Sequence, residues 1–209
     1  MMREKDEIVG RVTGDSKSNM FVFSTDPARP PQLYEYVYVK LVETPPGSNE
    51  ARIFPVLAQV VDIKRVGMAF SPGHPWSVVR EVPDDGIQDL VVATARVLGY
   101  KYNGRIYYPR HAPPVGSWVY RAPDKLVKNF YEIPEKRALH IGSLISRPSV
   151  PVYLDLKGIE RHLAIIAATG SGKTWTSIVL IEELLRKGAT ILVLDPHGEY
   201  VRMKESIHR

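Results

Sequence analysis

Residues 163–200 read LAIIAATGSGKTWTSIVLIEELLRKGATILVLDPHGEY, and the order of apolar, glycine-rich and amphipathic stretches in them decides the fold class. Leu163–Ala167 is a continuous apolar run, as expected of a strand buried on both faces of a parallel sheet. A turn containing Gly170 and Gly172 follows, and the spacing then predicts a helix over Thr174–Lys187. Its apolar positions Trp175, Ile178, Val179, Ile181, Leu184 and Leu185 cover a wide face. Arg186 and Lys187 suit the negative end of its dipole, and Gly188 suits the position just past it. A second apolar run, Thr190–Leu194, ends at Asp195. Strand, loop, helix and strand in this order are a unit of an α/β fold.

The turn has chemistry of its own. Ala167–Thr174 fits the phosphate-loop pattern G-x-x-x-x-G-K-[ST] except at its first position, where Ala167 replaces glycine with another small residue. Glycines let successive backbone N–H groups converge on phosphate oxygens, and the start of a helix adds partial positive charge. Ala168, Thr169, Gly170, Ser171, Gly172, Lys173, Thr174 and Trp175 are therefore the candidate nucleotide-binding residues. Lys173 suits the β- and γ-phosphates, and the Thr174 hydroxyl suits Mg²⁺. ATP with Mg²⁺ is the expected ligand, because no Asn-Lys-x-Asp guanine-reading motif appears. Asp195 and Glu199 close the second apolar run, where acidic groups face the ligand crevice of a parallel sheet. They are candidates to orient Mg²⁺, a water or Lys173; the equal alternative is a turn capped by Asp195. His197 has no companions at metal-ligand spacing and reads as structural.

Upstream the pattern changes to short alternating runs between Pro/Gly turns, which predicts an all-β barrel or sandwich. Candidate strands are Ile8–Val12, Met20–Ser24, Leu33–Val42, Val56–Val66, Leu90–Leu98, Ile106–Tyr108 and Ser117–Tyr120. Turn signals include Pro45-Pro46-Gly47, Pro72-Gly73 and Asp85-Gly86. In Leu33–Val42, Val37, Val39 and Leu41 share one face, and Tyr34, Tyr36, Tyr38 and Lys40 share the other. That tyrosine face is a candidate subunit or partner interface. Between Lys101 and Lys128, basic residues (Arg105, Arg110, His111, Arg121, Lys125) interleave with Tyr102, Tyr107, Tyr108, Trp118 and Tyr120. Such texture suits nucleic-acid contact or, more simply, barrel surface and core. A short helix is predicted over Asp124–Tyr131. The division is then a barrel over 1–133, a linker over 134–151 and the start of a phosphate-loop ATPase domain over 152–209.

Composition bounds the rest. The 209 residues are 44% hydrophobic and 24% charged, the balance of a globular protein with a core. A net charge of +5 is at most a mild indication of a polyanionic partner. No apolar run approaches the roughly 20 residues that cross a bilayer, and the charged start predicts no signal peptide. The absence of cysteine removes disulfides, thiol catalysis and thiolate metal sites, and fits a reducing, cytoplasmic setting.

Arg161–Ile165, Ala168–Thr174 and Leu194–Tyr200 together resemble the archaeal HerA DNA translocases of the HerA/FtsK group. The upstream region, with Gly99-Tyr100 and Pro113–Ser117, is similar to the small HAS-type barrel that precedes the motor in that family. The resemblance implies a two-part α+β chain: an all-β barrel followed by the beginning of a RecA-like α/β ATPase domain. It also implies a homo-hexamer that hydrolyses ATP to move on double-stranded DNA and that resects DNA ends with a NurA-type nuclease. Lys173 and Glu199 are then the expected catalytic groups; Arg161 is expected to approach the nucleotide, with a plain surface charge as its alternative. A second acidic strand end and an arginine finger, both needed for hydrolysis, do not follow in this sequence. The chain is accordingly expected to be an N-terminal fragment that binds nucleotide poorly and turns over none. Two other functions fit the same residues: a non-catalytic assembly module, or a nucleotide-binding protein with no DNA role.

Overall fold

The computed structural model describes residues 6–67, 75–81, 89–201 and 203. Two units partition it, Met1–Phe130 and Tyr131–Arg209.

In the first unit, β-branched and aromatic residues at alternate positions form seven strands: β1 (Ile8–Ser16), β2 (Met20–Thr25), β3 (Tyr36–Glu43), β4 (Arg52–Gly67), β5 (Asp89–Tyr102), β6 (Arg105–Tyr107) and β7 (Trp118–Arg121). A one-turn helix, α1 (Trp76–Val79), precedes β5, and α2 (Asp124–Tyr131) follows β7. The sheet runs β2-β1-β7-β3-β4-β5-β6, and a further pairing of β2 with β5 closes six of these strands into an antiparallel barrel. Closure satisfies the N–H and C=O groups that an open edge would expose. Irregularities of register between Leu57/Ala58 and Val60/Asp62 bend β4 against β5.

The inward positions fill the barrel by matched sizes. Phe21 lies opposite Ala95 and Phe23 opposite Ala93 across β2–β5, and all four are fully buried. Val12, Val37, Val39, Val56, Ala58, Val60 and Val119 complete this core at zero exposure. At fully buried aliphatic positions each large-to-small change typically costs a few kcal/mol. Gly99, with φ of +124°, brings β6 against β5; a Cβ there would lie 2.5 Å from the Tyr107 carbonyl oxygen. Beside it Phe54, Tyr100, Tyr102 and Tyr107 cluster, with ring centroids 4.6–6.0 Å apart.

All seven candidate strands and α2 form where the sequence placed them, with ends shifted by a few residues. The turn signals at Pro72-Gly73 and Asp85-Gly86 lie outside the described residues. The tyrosine stripe of β3 is not a free face, which corrects its reading as an open interface. Tyr36 and Tyr38 are buried by the chain itself, while Tyr34 is 59% exposed. Tyr38 stacks on Tyr120 at 5.1 Å and donates to Asp6 at 2.5 Å. Much of the basic and aromatic texture is spent on internal structure as well. Trp118 lies under the Arg11 guanidinium at 4.0 Å, and Arg121 pairs with Glu7 and Glu35. The buried Glu43 carboxylate accepts the backbone N–H groups of Arg110 and His111.

In the second unit, residues 138–155 are a hairpin rather than the expected linker: β8 (Ala138–Leu144) pairs antiparallel with β9 (Arg147–Asp155). Gly142, Pro148 and Pro151 obscure the alternation in the sequence, yet prolines are tolerated where a strand has an open edge. Leu139 and Val150 are fully buried. Asp155 accepts the Lys157 N–H at 3.0 Å and starts the short helix α3 (Leu156–Ile159). The long helix α4 spans Lys173–Arg186.

The apolar runs Leu163–Ala167 and Thr190–Leu194 do not form strands, against expectation. Ile166, Leu192 and Leu194 are 90%, 86% and 83% exposed. A strand needs a neighbour to take its N–H and C=O groups, and among the described residues none pairs with either run. Among the described residues no helix is long and apolar enough to cross a membrane.

Candidate phosphate-binding site

The site is built on the start of α4. Gly170 and Gly172 have φ of +79° and +88°, the left-handed region that side chains disfavour, and Gly172 is the N-cap of the helix. Between them the Ser171 N–H and hydroxyl both donate to the Ala168 carbonyl, at 3.3 and 2.6 Å, which closes the loop into a tight turn. The first helical hydrogen bond runs from the Thr176 N–H to the Gly172 carbonyl at 3.0 Å. The N–H groups of Lys173, Thr174 and Trp175 thus precede the first intrahelical donor, and such amides at a helix start suit an anion.

The functional side chains gather around that end. Lys173 and Thr174 are half-buried, and Ala168, Thr169, Gly170 and Ser171 are exposed along the loop. The Lys173 ammonium donates to the Ala167 carbonyl at 3.1 Å, which keeps a flexible cation at the loop's mouth. The Thr174 hydroxyl donates to Glu199 Oε2 at 2.6 Å, joining the helix start to the turn at 195–200. Asp195 Oδ2 accepts the Tyr200 N–H at 2.8 Å. That backbone bond, with further N–H groups of Glu199, His197 and Gly198 facing the carboxylate, holds the Asp195 carboxyl below its ordinary range, although burial opposes the shift. Asp195 therefore caps its own turn, and the turn presents Glu199 to Thr174.

Two expected participants stand apart. Among the described residues no hydrogen bond or ion pair ties Arg161, exposed at the bend after α3, to Lys173, Thr174 or Glu199. Trp175 is 73% exposed on the outer side of the first turn. Among the described residues no three His, Cys, Asp or Glu side chains group as a metal cage. A Mg²⁺ ion here would depend on Thr174 together with phosphate oxygens, as is usual for this hard, hydrated cation. What the loop offers toward a phosphate group is its backbone: Gly170 and Gly172 turn through positive φ, and a Cβ built on either meets nothing within 4 Å, so the turn is open to solvent.

One supporting residue escaped the sequence reading. Glu183, on the buried side of α4, accepts the His140 backbone N–H of β8 at 2.8 Å and also pairs with Arg186. Lys187 adds a bond to the Glu135 carbonyl at 2.7 Å. The hairpin β8–β9 and the phosphate-loop helix are thereby one body. A charged residue flanked around the helix by Val179 and Leu180 was the available signal.

The family description of the helicase HerA central domain matches residues 139–208, which begin at the hairpin and take in the whole loop. The DNA double-strand break repair helicase HerA of Pyrococcus furiosus is 31% identical over 95% of this chain and 35% of its own length. A probable helicase of Methanocaldococcus jannaschii is 31% identical over 94% of this chain and 37% of its own. The DNA double-strand break repair helicase HerA of Saccharolobus solfataricus is 39% identical over 47% of this chain. The chain spans about a third of the length of the first two relatives. With the barrel ahead of the loop, helix and Asp195–Tyr200 turn along the chain, the protein is similar to the archaeal HerA helicases over nearly all of its own residues and spans only part of their length.

Proposed function

We propose that residues 167–174 bind the phosphates of ATP and that the whole protein is an ATP-dependent translocase or helicase on double-stranded DNA. The observation that carries the reading is the open glycine turn at the start of α4, with Lys173 and Thr174 at its mouth. Released from the Ala167 carbonyl, the Lys173 ammonium reaches phosphate oxygens and offsets their charge. The loop amides orient the same group through the backbone, which costs little reorganisation because the turn is already closed by Ser171 and Ala168. Thr174 is the Mg²⁺ ligand, and Mg²⁺ would supply further charge neutralisation on the phosphates.

Two of the relatives are DNA double-strand break repair helicases by name; by that relationship the proposal extends to DNA-end resection with a NurA-type nuclease by a homo-hexameric ring. The exposed runs 163–167 and 190–194 support the further proposal of a RecA-like sheet, because apolar segments of this kind are covered when neighbouring strands are supplied. A second reading, an assembly module acting through the barrel, is favoured by one observation: the first unit closes its own sheet around its own core.

Binding of a fluorescent ATP analogue to the chain, with and without Lys173→Ala, tests the proposal. Weak but saturable binding that the substitution removes is expected; equal binding by both proteins refutes it. Hydrolysis by the chain alone is expected to stay at background. ATP turnover above background that Lys173→Ala abolishes would overturn that expectation.

A further inference from the structure

Glu199 sits where a water-activating carboxylate is expected, yet the partner it holds is a hydroxyl rather than open space. Its Oε2 accepts a hydrogen bond from the Thr174 hydroxyl across a separation of 25 residues, at 2.6 Å. A hydroxyl has one proton and two lone pairs. Once the proton is committed to a carboxylate, the lone pairs lie on the other side of Oγ1, and the charge-assisted bond raises the oxygen's electron density. That is the arrangement by which a neighbouring acid orients a metal ligand and strengthens it. The bond is short-ranged and depends on the turn that carries Glu199. That turn is held from its first residue, because Asp195 Oδ2 accepts the Tyr200 N–H immediately after Glu199.

We propose that Asp195 and Glu199 are positioning residues for the metal ligand Thr174: Asp195 shapes the turn, and Glu199 fixes the direction of the Thr174 hydroxyl. The assignment rests on the phosphate-loop reading and gives Glu199 a role other than reacting with water. It likewise takes Asp195 out of the metal's coordination sphere, since that carboxylate is engaged by backbone N–H groups of its own turn.

The test measures binding, not turnover. Anisotropy of a fluorescent ADP analogue is titrated with the full chain in EDTA and again in Mg²⁺, and the ratio of the two affinities is the readout. For Glu199→Ala the Mg²⁺-dependent gain falls by about 10-fold or more, while the affinity in EDTA stays within about twofold of the parent chain. Glu199→Gln, which keeps a carbonyl acceptor for the hydroxyl, retains most of the gain. Asp195→Ala loses it in the same direction as Glu199→Ala. The double change Thr174→Ala with Glu199→Ala loses no more than Thr174→Ala alone, because both remove one interaction. The proposal is overturned if Glu199→Ala keeps the full Mg²⁺ gain, if it weakens binding equally in EDTA and Mg²⁺, or if the double change is additive. A parent chain that binds no nucleotide in either condition removes the phosphate-loop reading itself, which separates that failure from failure of the positioning role of Asp195 and Glu199.

Discussion

Replacing Glu183 with alanine should loosen the attachment of the hairpin to the phosphate-loop helix by an amount that can be worked out beforehand. Glu183 is 9% exposed, and its Oε2 accepts the His140 N–H at 2.8 Å. Removing the acceptor leaves a part-buried amide of an exposed residue unpaired, at a cost near the lower end of about 1–3 kcal/mol. The Arg186 partner is mostly exposed, so loss of that pair adds only about 0.3–0.5 kcal/mol. Alanine returns a few tenths of a kcal/mol through its better helix propensity. The net expectation is about 1 kcal/mol, which corresponds to roughly 5-fold faster hydrogen exchange of the His140 amide at neutral pH. The effect has a defined pH dependence. The His140 N–H bond, and then Arg186, hold the Glu183 carboxyl below its ordinary value of 4.5, with burial acting the other way. Because the folded value is the lower one, the contribution is fully present above pH 4.5 and is lost as pH falls through the folded value. The urea midpoints of parent and Glu183→Ala should therefore differ at neutral pH and converge as the pH is taken well below 4.5. An unchanged His140 exchange rate, or a midpoint difference that persists undiminished in acid, refutes the reasoning.

Two further outcomes concern the barrel. Gly99→Ala combines a positive φ with a backbone clash, its Cβ 2.5 Å from the Tyr107 carbonyl oxygen and 3.1 Å from Ile106 Cγ2. The thermal midpoint should fall, by the equivalent of about 1–3 kcal/mol; an unshifted midpoint would show that β6 is free to move away. The Tyr38 phenol is pushed well above its ordinary value of 10.0, first by burial and then by its bond to Asp6. In an ultraviolet titration Tyr38 should ionise late, as should Tyr100, whose phenol burial also raises, and Tyr38→Phe should shrink the late step by one tyrosine. The sign follows: this raised value contributes stability fully below pH 10.0, and the contribution is lost as pH rises toward the folded value.

Several features were readable from residue order because they are local. A strand with one face inward needs only a period of two, so Val37, Val39 and Leu41 marked β3 without knowledge of its neighbours. Asp124–Tyr131 was legible as a helix for the same reason at a longer period, with an acidic start and Val127 and Phe130 facing inward. Gly170, Gly172, Lys173 and Thr174 marked the loop because the backbone conformation and the charge it needs are properties of those residue types. Other features were hidden. Gly142, Pro148 and Pro151 interrupt the alternation of β8 and β9, so the hairpin read as a linker until its pairing was visible.

What the residue order determined by itself, then, is which segments are strands of the barrel, where α2 and α4 lie, and which residues can form a phosphate loop. Only the tertiary structure decided that β2 returns to β5 and closes the sheet, that Tyr36 and Tyr38 are covered while Tyr34 is not, and that Glu199 meets Thr174. It also decided that Leu163–Ala167 and Thr190–Leu194 find no strand partner among the described residues, however strongly their composition favours strands. The division has one cause. Side-chain periodicity and backbone preference act over a few neighbouring residues, whereas a ladder hydrogen bond or a carboxylate–hydroxyl contact needs a partner brought from elsewhere in the chain.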